Sequence, residues 1–588
     1  MNILGINITH DGTLSILKNG IHFFSIAEER INRKKAYIGF PFQALNYIIE
    51  NKIILPSEID LVTVSSNVFK KEWAFTYAFQ LNENKKYYDL QNEKKPNDFF
   101  IEDKLYKKIN TDLDCKNYVY SKIKKILECH KIYSEIEFID HHLSHSASAY
   151  FSSGFRNALS ITMDGEGDLL SATVSICQNG KIERISSTSW QNSAGYLYSE
   201  VTKRCGYKMS RHEGKITGLA AYGNYKKYEK KFDSITHVDR GKLVINNLVK
   251  RTLLNKITNQ LSMIFFKKPF LMGAEEVISR FNDLSNEDLS SSIQNHLEKR
   301  IKKIVEYWIN KTKCCNVVLS GGVFANVKIN QKISEINNLK RLYIFPDMGD
   351  GGNAYGSAVY TFYKKHDFKL DKSKIKNVYL GPSYKKNYVS KILEKYSNKI
   401  DYFLSKNVSK ETAKLLSKGK VIGWFQGRME YGPRALGNRS ILASATDRKI
   451  NKWLNDKMHR TEFMPFAPSC LEEFANELFE IENQSLIFPA NFMTITFNMK
   501  QNWVNKAPAV AHIDHTARPQ LVNKKTNPKY YNLIYEYYKI TGLPLIINTS
   551  FNVHEEPIVC KPEEGLKALL DSVIDVFVCE DYICFLKK

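Results

Sequence analysis

Apolar side chains crowd the first eight positions, Met1-Asn2-Ile3-Leu4-Gly5-Ile6-Asn7-Ile8, and give way to Thr9-His10-Asp11-Gly12-Thr13. A second apolar run, Leu14-Ser15-Ile16-Leu17, follows at once. Two strand-like runs around an Asp-Gly tip predict a β-hairpin with polar groups at its turn. An acidic turn then leads into Glu28-Glu29-Arg30-Ile31-Asn32-Arg33-Lys34-Lys35. The opening theme recurs at Leu159-Ser160-Ile161-Thr162-Met163-Asp164-Gly165, an apolar strand closed by Asp-Gly. Later come Val317-Val318-Leu319-Ser320-Gly321-Gly322-Val323-Phe324-Ala325-Asn326 and Leu342-Tyr343-Ile344-Phe345-Pro346-Asp347-Met348-Gly349-Asp350-Gly351-Gly352-Asn353. Each reads as a strand, a glycine turn and a helix start. Two Asp-bearing strand turns and two Gly-rich turns fit a duplicated α/β domain closing on a nucleotide, because backbone N–H groups at such turns can hold phosphates. Residues 68–128, rich in Lys, Asn, Tyr and Phe, read as a mostly helical insertion. The polar segment 363–380 reads as a surface link, and the strand pattern restarts at Val421-Ile422-Gly423-Trp424-Phe425, which sets a domain boundary near 370–380.

A chain of 588 residues is too long for one core and implies two or more domains. With 43% hydrophobic and 25% charged residues it has the composition of a soluble globular protein. No apolar run approaches the roughly eighteen residues that a membrane span requires. The N-terminus lacks a basic region before its apolar stretch and reads as a strand, not a signal peptide. The ten cysteines form no CxxC pair, which argues against a zinc ribbon; reduced thiols in the cytoplasm are expected. The formal charge of +23 has two readings. One is attraction to anions. The other is a Lys- and Asn-rich bias, since the lysines are spread along the whole chain. No compact arginine-rich arm marks a nucleic-acid partner.

Chemistry concentrates in three places. The first is His141-His142-Leu143-Ser144-His145-Ser146-Ala147-Ser148-Ala149-Tyr150. On a helix, His141 and His145 share a face, within reach of one ion. With Asp164 they would suit a first-row transition metal that keeps open positions for a substrate. A hydrated helix face or a capping cluster is the competing reading. The second is Gly427-Arg428-Met429-Glu430-Tyr431-Gly432-Pro433-Arg434-Ala435-Leu436-Gly437-Asn438-Arg439-Ser440. Arginines on such a rigid loop grip phosphate or carboxylate oxygens in bidentate fashion, unless the loop is a structural salt-bridge loop. The third comprises Lys457, His459 and Arg460, then His515-Thr516-Ala517-Arg518, then Leu545-Ile546-Ile547-Asn548-Thr549-Ser550-Phe551-Asn552. Many fixed cations and no obvious nucleophile suit phosphoryl or nucleotidyl transfer, where positioning and charge stabilisation dominate.

Together with His212-Glu213-Gly214-Lys215-Ile216-Thr217-Gly218-Leu219, these motifs resemble, in order and over nearly the whole chain, the O-carbamoyltransferases of antibiotic and nodulation-factor biosynthesis. Tobramycin carbamoyltransferase is one of that family. The resemblance implies an α/β (α+β overall) protein of two fused modules. Residues 1–372 would be a duplicated actin-like ATPase domain, of the ASKHA type, similar to the tRNA threonylcarbamoyl transferase. Residues 373–588 would be a YrdC-like domain. The implied activity is ATP-dependent O-carbamoyl transfer. Carbamoyl phosphate and ATP, the latter with Mg2+, would give carbamoyl-AMP and pyrophosphate at the C-terminal site. The carbamoyl group would then pass to a hydroxyl of a small-molecule or glycan acceptor at the N-terminal site.

By the same resemblance the metal ligands are His141, His145, Asp164 and Asp350 around divalent iron, with Asp347 as the neighbouring alternative to Asp350. His10 would act as general base or orient the carbamoyl group, and Lys35 would lie near the intermediate. Arg428, Arg434, Arg439, Lys457 and Arg460 would be catalytic. Asp11, Gly214, Lys215, Gly218, Ser320, Gly321, Gly322, Asn326, Ser440, Arg518, Asn548, Ser550 and Asn552 would hold the nucleotide or the adenylate. His142, off the ligand face, would act behind the ligands. The chain departs from the family pattern at Lys457-Met458-His459-Arg460-Thr461-Glu462-Phe463-Met464-Pro465-Phe466, where the lysine stands one place early and Met464 replaces an arginine. A homodimer is compatible with this reading. The alternatives are a relative that makes threonylcarbamoyl-adenosine in tRNA, and a non-catalytic nucleotide-binding protein.

Overall fold

The hairpin forms where the apolar pattern places it. β1 (Asn2–Asn7) pairs antiparallel with β2 (Thr13–Lys18), so His10 and Asp11 stand at the tip. β3 (Ile21–Ala27) continues the meander, and β4 (Leu61–Ser65) and β5 (Glu135–Ile139) add in parallel on the other side of β1. The structure, a computed structural model, describes residues 1–70, 111–246, 273–369, 374–458, 466–553 and 555–587. Most of the expected 68–128 insertion and the expected boundary at 372/373 therefore lie outside the described residues. Within that insertion, residues Asp112–Cys129 form a helix started by a Thr111–Asp114 capping box.

The first sheet has strand order β3-β2-β1-β4-β5. The second repeats the scheme. β6 (Asn157–Gly167) heads a meander with β7 (Leu170–Gln178) and β8 (Lys181–Ser189), and a short ribbon, β9 (Thr236–Asp239) with β10 (Lys242–Ile245), follows. β11 (Asn316–Ser320) and β12 (Arg341–Ile344) then add in parallel beside β6. The order β12-β11-β6-β7-β8 is the first sheet's order run again. The central strands are buried on both faces, which is why they read as continuous apolar runs and not as alternations.

Helices cover these faces: α1 (Phe42–Glu50), α2 (Asp112–Cys129), α3 (His141–Ser153), α4 (Ala194–Arg204), α5 (Glu213–Leu219), α6 (Asn286–Thr312), α7 (Val327–Ser334) and α8 (Asn353–Lys365). α3 and α8 touch backbone to backbone. A Cβ on Gly356 would stand 2.0 Å from the Ser144 carbonyl oxygen, so only glycine lets the two helices approach this closely.

The C-terminal sheet is larger and mixed. Its order is β13-β22-β21-β14-β15-β20-β16-β19. The strands are β13 (Ile400–Leu404), β14 (Ile422–Phe425), β15 (Arg439–Ala443), β16 (Ala467–Leu471), β19 (Gln520–Val522), β20 (Leu545–Ser550), β21 (Val576–Cys579) and β22 (Tyr582–Leu586). A separate pair, β17 (Phe497–Asn498) with β18 (Thr516–Ala517), lies beside it. One apolar core runs from Leu159, Leu319 and Ile344 of the second sheet into Trp424, Ile546 and Val578 of the third. The fold is thus mixed α/β. Among the described residues no helix is long and apolar enough to cross a membrane, and the ten cysteines are unpaired.

Candidate metal centre and nucleotide cavity

Three chain segments converge on one point. Asp140 caps α3 by accepting the Leu143 N–H at 2.7 Å, and the helical spacing then sets His141 and His145 on one face. Asp164 comes from β6 where the β6–β7 register shifts between Met163 and Gly167, so the side chain turns out of the ladder. Asp350 opens the short 3-10 turn Asp350–Gly352 that leads into α8.

The ligand atoms of His141, His145, Asp164 and Asp350 all lie within 4.8 Å of one another. His145 Nε2 is 3.1 Å from Asp164 Oδ2 and 3.5 Å from Asp350 Oδ1; His141 Nε2 is 3.6 Å and 3.5 Å from the same two atoms. Asp347 is not in the group. Burial and the Asp11 charge push its carboxyl up to about 7.

The donor set passes a direct test for a metal. Both ring nitrogens of His141 are buried without a hydrogen-bond partner, a costly state that an ion at Nε2 would relieve. Burial opposes a charge on His141, but Asp350 and Asp164 outweigh it and push the imidazole up to about 9. Two imidazoles and two carboxylates suit a first-row transition metal.

Surrounding groups fix the ligands. Ser320 Oγ lies 3.0 Å from His145 Nδ1, which leaves Nε2 pointing inward. Thr9 Oγ1 lies 2.7 Å from Asp350 Oδ2. Asp168 accepts from the backbone N–H of His141 at 2.8 Å and of Val68 at 2.9 Å, and from Ser66 Oγ at 2.6 Å. A Cβ on Gly167 would stand 2.0 Å from His141 Cδ2, so the imidazole occupies the space that glycine leaves. His142 turns the other way: its Nδ1 lies 2.7 Å from Thr162 Oγ1 and its Nε2 3.1 Å from the Leu170 carbonyl.

A cavity of about 480 Å³ lies beside the Gly-rich turn after β11. The N-terminal half contributes Lys35, Gly214, Lys215 and Lys328 to its wall; the C-terminal half contributes Arg434, Arg518, Asn548, Ser550 and Asn552. Its charge is mostly positive, so its natural ligand is an anion. The turn Gly321–Ala325 joins this cavity to the metal centre. At one end a Cβ on Gly322 would stand 3.1 Å from Asp164 Oδ1, and at the other the Ala325 carbonyl lies 3.4 Å from an Arg434 nitrogen. Gly321 has φ +106°, and a Cβ there would meet the Met163 carbonyl oxygen at 2.1 Å.

Several expected ligand-binding residues do other work. Ser320 is fully buried against His145 and does not line the cavity. Asn326 caps α7, accepting the Lys328 and Ile329 N–H groups at 3.2 Å. Gly218 is buried one turn on from Gly214 in α5 and does not line the cavity. Ser440 is fully buried and accepts the Gly437 N–H. Arg439 is fully buried too. It donates to the carbonyls of Gln426, Asn438, Pro382 and Gly427, and its guanidinium stacks 3.6 Å from the Phe425 ring centroid. Arg428 reaches the Phe23 carbonyl of β3 at 2.8 Å and so ties the two halves together away from the cavity. Lys457 is exposed at the end of its helix, over the Trp453 ring, and does not line the cavity. Arg460 lies outside the described residues. His10 and Asp11 are exposed at the hairpin tip, next in sequence to Thr9 and thus on the metal-centre side, whereas Lys35 faces the cavity.

Thr9, Asp168, Lys328, His512 and Asp514 stand at the two sites without a sequence motif that marks them. For His512 and Asp514 the nearest signal is a His-x-Asp spacing just ahead of His515.

The chain matches the family model described as Carbamoyltransferase N-terminus over residues 2–359, and the one described as Carbamoyltransferase C-terminus over residues 413–586. It is 32% identical over 593 residues to an uncharacterized protein of Methanocaldococcus jannaschii, covering 99% of both chains. It is 29% identical over 580 residues to nodulation protein NolNO of Sinorhizobium fredii, covering 98% of this chain and 78% of that one. With nodulation protein NolO of Bradyrhizobium diazoefficiens the identity is 30% over 458 residues, or 76% and 78% of the two chains. Among solved structures, component A of (R)-2-hydroxyglutaryl-CoA dehydratase from Acidaminococcus fermentans aligns with 62% of this chain and 99% of its own at 13% identity; the TM-score of 0.32 is too low to argue from.

Proposed function

We propose an activity for this chain from one premise: it belongs to the carbamoyltransferase family, and so is a transferase. The reading is an ATP-dependent O-carbamoyltransferase with two linked sites. The observation that carries it is the cationic cavity walled by both halves, joined through the Gly321–Ala325 turn to four buried metal-ligating side chains. The repeated strand order of the first two sheets supports an actin-like duplicated nucleotide domain for residues 1–372; residues 373–588 would then be the YrdC-like activating domain.

In the cavity, Arg434, Arg518, Lys35 and Lys215 neutralise the phosphates of ATP, which enters with Mg2+, and of carbamoyl phosphate. Carbamoyl phosphate, water and ATP become carbamoyl-AMP, phosphate and pyrophosphate. No side chain needs to be a nucleophile here; fixed charge and alignment of the reacting groups lower the barrier. Asn548 donates to Ser469 Oγ and Gln520 Oε1, both at 2.9 Å, and its own Oδ1 is buried without a partner. That oxygen suits the amide N–H of a carbamoyl group.

At the second site His141, His145, Asp164 and Asp350 would hold the ion, and divalent iron fits that donor set. Such an ion supplies Lewis acidity toward the carbamoyl carbonyl. Ser320, Thr9 and Asp168 keep the ligands aimed. His10, at the hairpin tip, accepts the proton of the attacking hydroxyl or orients the carbamoyl group. AMP leaves, and the acceptor, a small molecule or a glycan, carries away the carbamate ester.

The test is pyrophosphate release from ATP by the purified chain with and without carbamoyl phosphate, with elemental analysis of the protein alongside. Release that requires carbamoyl phosphate supports the reading. A folded protein that releases none refutes it.

A further inference from the structure

His512 lines the cavity yet is nine-tenths buried, with 8% of its surface exposed. Its Nδ1 lies 3.1 Å from Asp514 Oδ1. Asp514 is held in turn by Thr516, through its N–H at 3.0 Å and its hydroxyl at 2.6 Å, and by Lys328 Nζ, 2.9 Å from Oδ2. Its carboxyl is displaced far below the usual range: burial opposes the charge, but the bonds from His512, Thr516 and Lys328 outweigh it. The ionised Asp514 accepts the hydrogen bond of His512 Nδ1–H, which fixes the ring and turns Nε2 away from Asp514. The ring edge faces Tyr222, with centroids 6.4 Å apart. His512 Nε2 is buried with no hydrogen-bond partner.

A buried, unpartnered ring nitrogen on a cavity wall calls for an explanation. The core does not supply one, because the other side of the ring is firmly oriented. His142 has both nitrogens satisfied; His22 and His296 each bury one unpartnered nitrogen as well, but His512 alone of these three lines the cavity. Lys328 adds a second point. It belongs to α7 of the N-terminal half and reaches across to Asp514 of the C-terminal half, so both halves contribute to holding the carboxylate that aims the histidine.

We propose that His512 is a further ligand-contacting residue of this cavity, whose Nε2 hydrogen-bonds to a phosphate group of ATP or of carbamoyl phosphate, with Asp514 and Lys328 as positioning residues. The inference rests on the phosphate-handling reading of the cavity given above. Charge-assisted bonds of this kind are short and strong, and losing one costs about tenfold to a hundredfold.

The experiment uses the full chain with H512Q, H512A and D514N. It measures pyrophosphate release with KM for each substrate, calorimetric binding of ATP and of carbamoyl phosphate, and thermal melting. H512Q is expected to melt near the wild type and to lose about tenfold to a hundredfold in kcat/KM. The substrate whose KM or Kd rises identifies the phosphate that is contacted. Added imidazole is expected to restore part of the H512A rate. D514N is expected to show a smaller loss on the same substrate. Unchanged kcat/KM and unchanged affinities in H512Q would overturn the inference, as would a loss of melting temperature with unchanged kinetics. Should the wild type bind both compounds but release no pyrophosphate, the proposed activity fails on its own. His512 is then judged by binding alone, with equal affinities in H512Q counting against it.

Discussion

At the scale of single residues, arginines that look alike in sequence divide into two kinds. Arg434 and Arg439 stand five apart in one glycine-rich loop. Arg434 lines the cavity; Arg439 is sealed inside, with four backbone carbonyls and the Phe425 ring as its partners. Their substitutions should therefore fail differently. Arg439→Met strands several buried acceptors and should cost more than about 3 kcal/mol in urea unfolding. Arg434→Ala should melt like the wild type while losing pyrophosphate release. A well-folded Arg439→Met protein lacking only the rate would reverse the assignment. The motif showed that guanidinium groups were needed, and nothing in it distinguished a loop held by arginine from a loop presenting arginine. Ser320 makes the same point. Its Gly-Gly neighbours announce a ligand turn, yet its hydroxyl faces inward to His145. Burial is decided by which element packs behind a residue, and adjacent residues do not carry that information.

At the scale of elements, the candidate metal ligands were legible in part from local rules, helical spacing for His141 and His145 and a strand end for Asp164, whereas Asp350 came from the family resemblance. The supports were harder to see, because they reach the site from distant segments. Asp168 joins β6–β7, α3 and the 66–68 loop through one carboxylate. Asp168→Asn removes charge and part of that bonding at the start of α3. It should weaken metal retention by about tenfold to a hundredfold, read by competition with a chelator. Undiminished retention would show that α3 holds its own geometry.

Glu28 plays a similar part at α1. Its carboxylate accepts the Gln43 and Ala44 N–H groups at 3.0 Å and 2.8 Å, at the helix N-terminus. Burial pushes Glu28 up to about 7, and these bonds and Asn32 offset it only in part. A carboxyl raised on folding binds its proton more tightly in the folded state. Its contribution to stability is thus complete below about pH 4.5 and is lost as pH rises to 7, on the order of 3 kcal/mol. Glu28→Gln should flatten the fall of stability across that window, measured by urea unfolding at several pH values. An unchanged slope would mean that another group sets it.

At the scale of the whole molecule, the sequence suggested two modules and the packing shows how closely they are joined. The repeated order of the first two sheets was foreshadowed by the recurring strand-Asp-Gly and strand-Gly-Gly patterns, since each half builds the same elements from the same local signals. The shared wall was not foreshadowed, because no periodicity records which residues of one half face the other. Lys328 meets Asp514, Arg33 donates to the Pro557 and Ile558 carbonyls at 2.7 Å and 2.8 Å, and a common apolar core runs beneath. Such a join sharpens the expected division of labour. Arg434→Ala should abolish adenylate formation, and with it every later step. His141→Ala and Asp164→Asn should leave carbamoyl phosphate-dependent pyrophosphate release near the wild-type rate, because their side chains lie beyond the Gly321–Ala325 turn and not in the cavity wall. The same two variants should fail to deliver a carbamoyl group to an acceptor hydroxyl and should release their metal. Measuring pyrophosphate, AMP and bound metal on one set of preparations separates the steps. If the metal-centre variants also lose pyrophosphate release while remaining folded, the two centres act as one, and the turn between them transmits more than position.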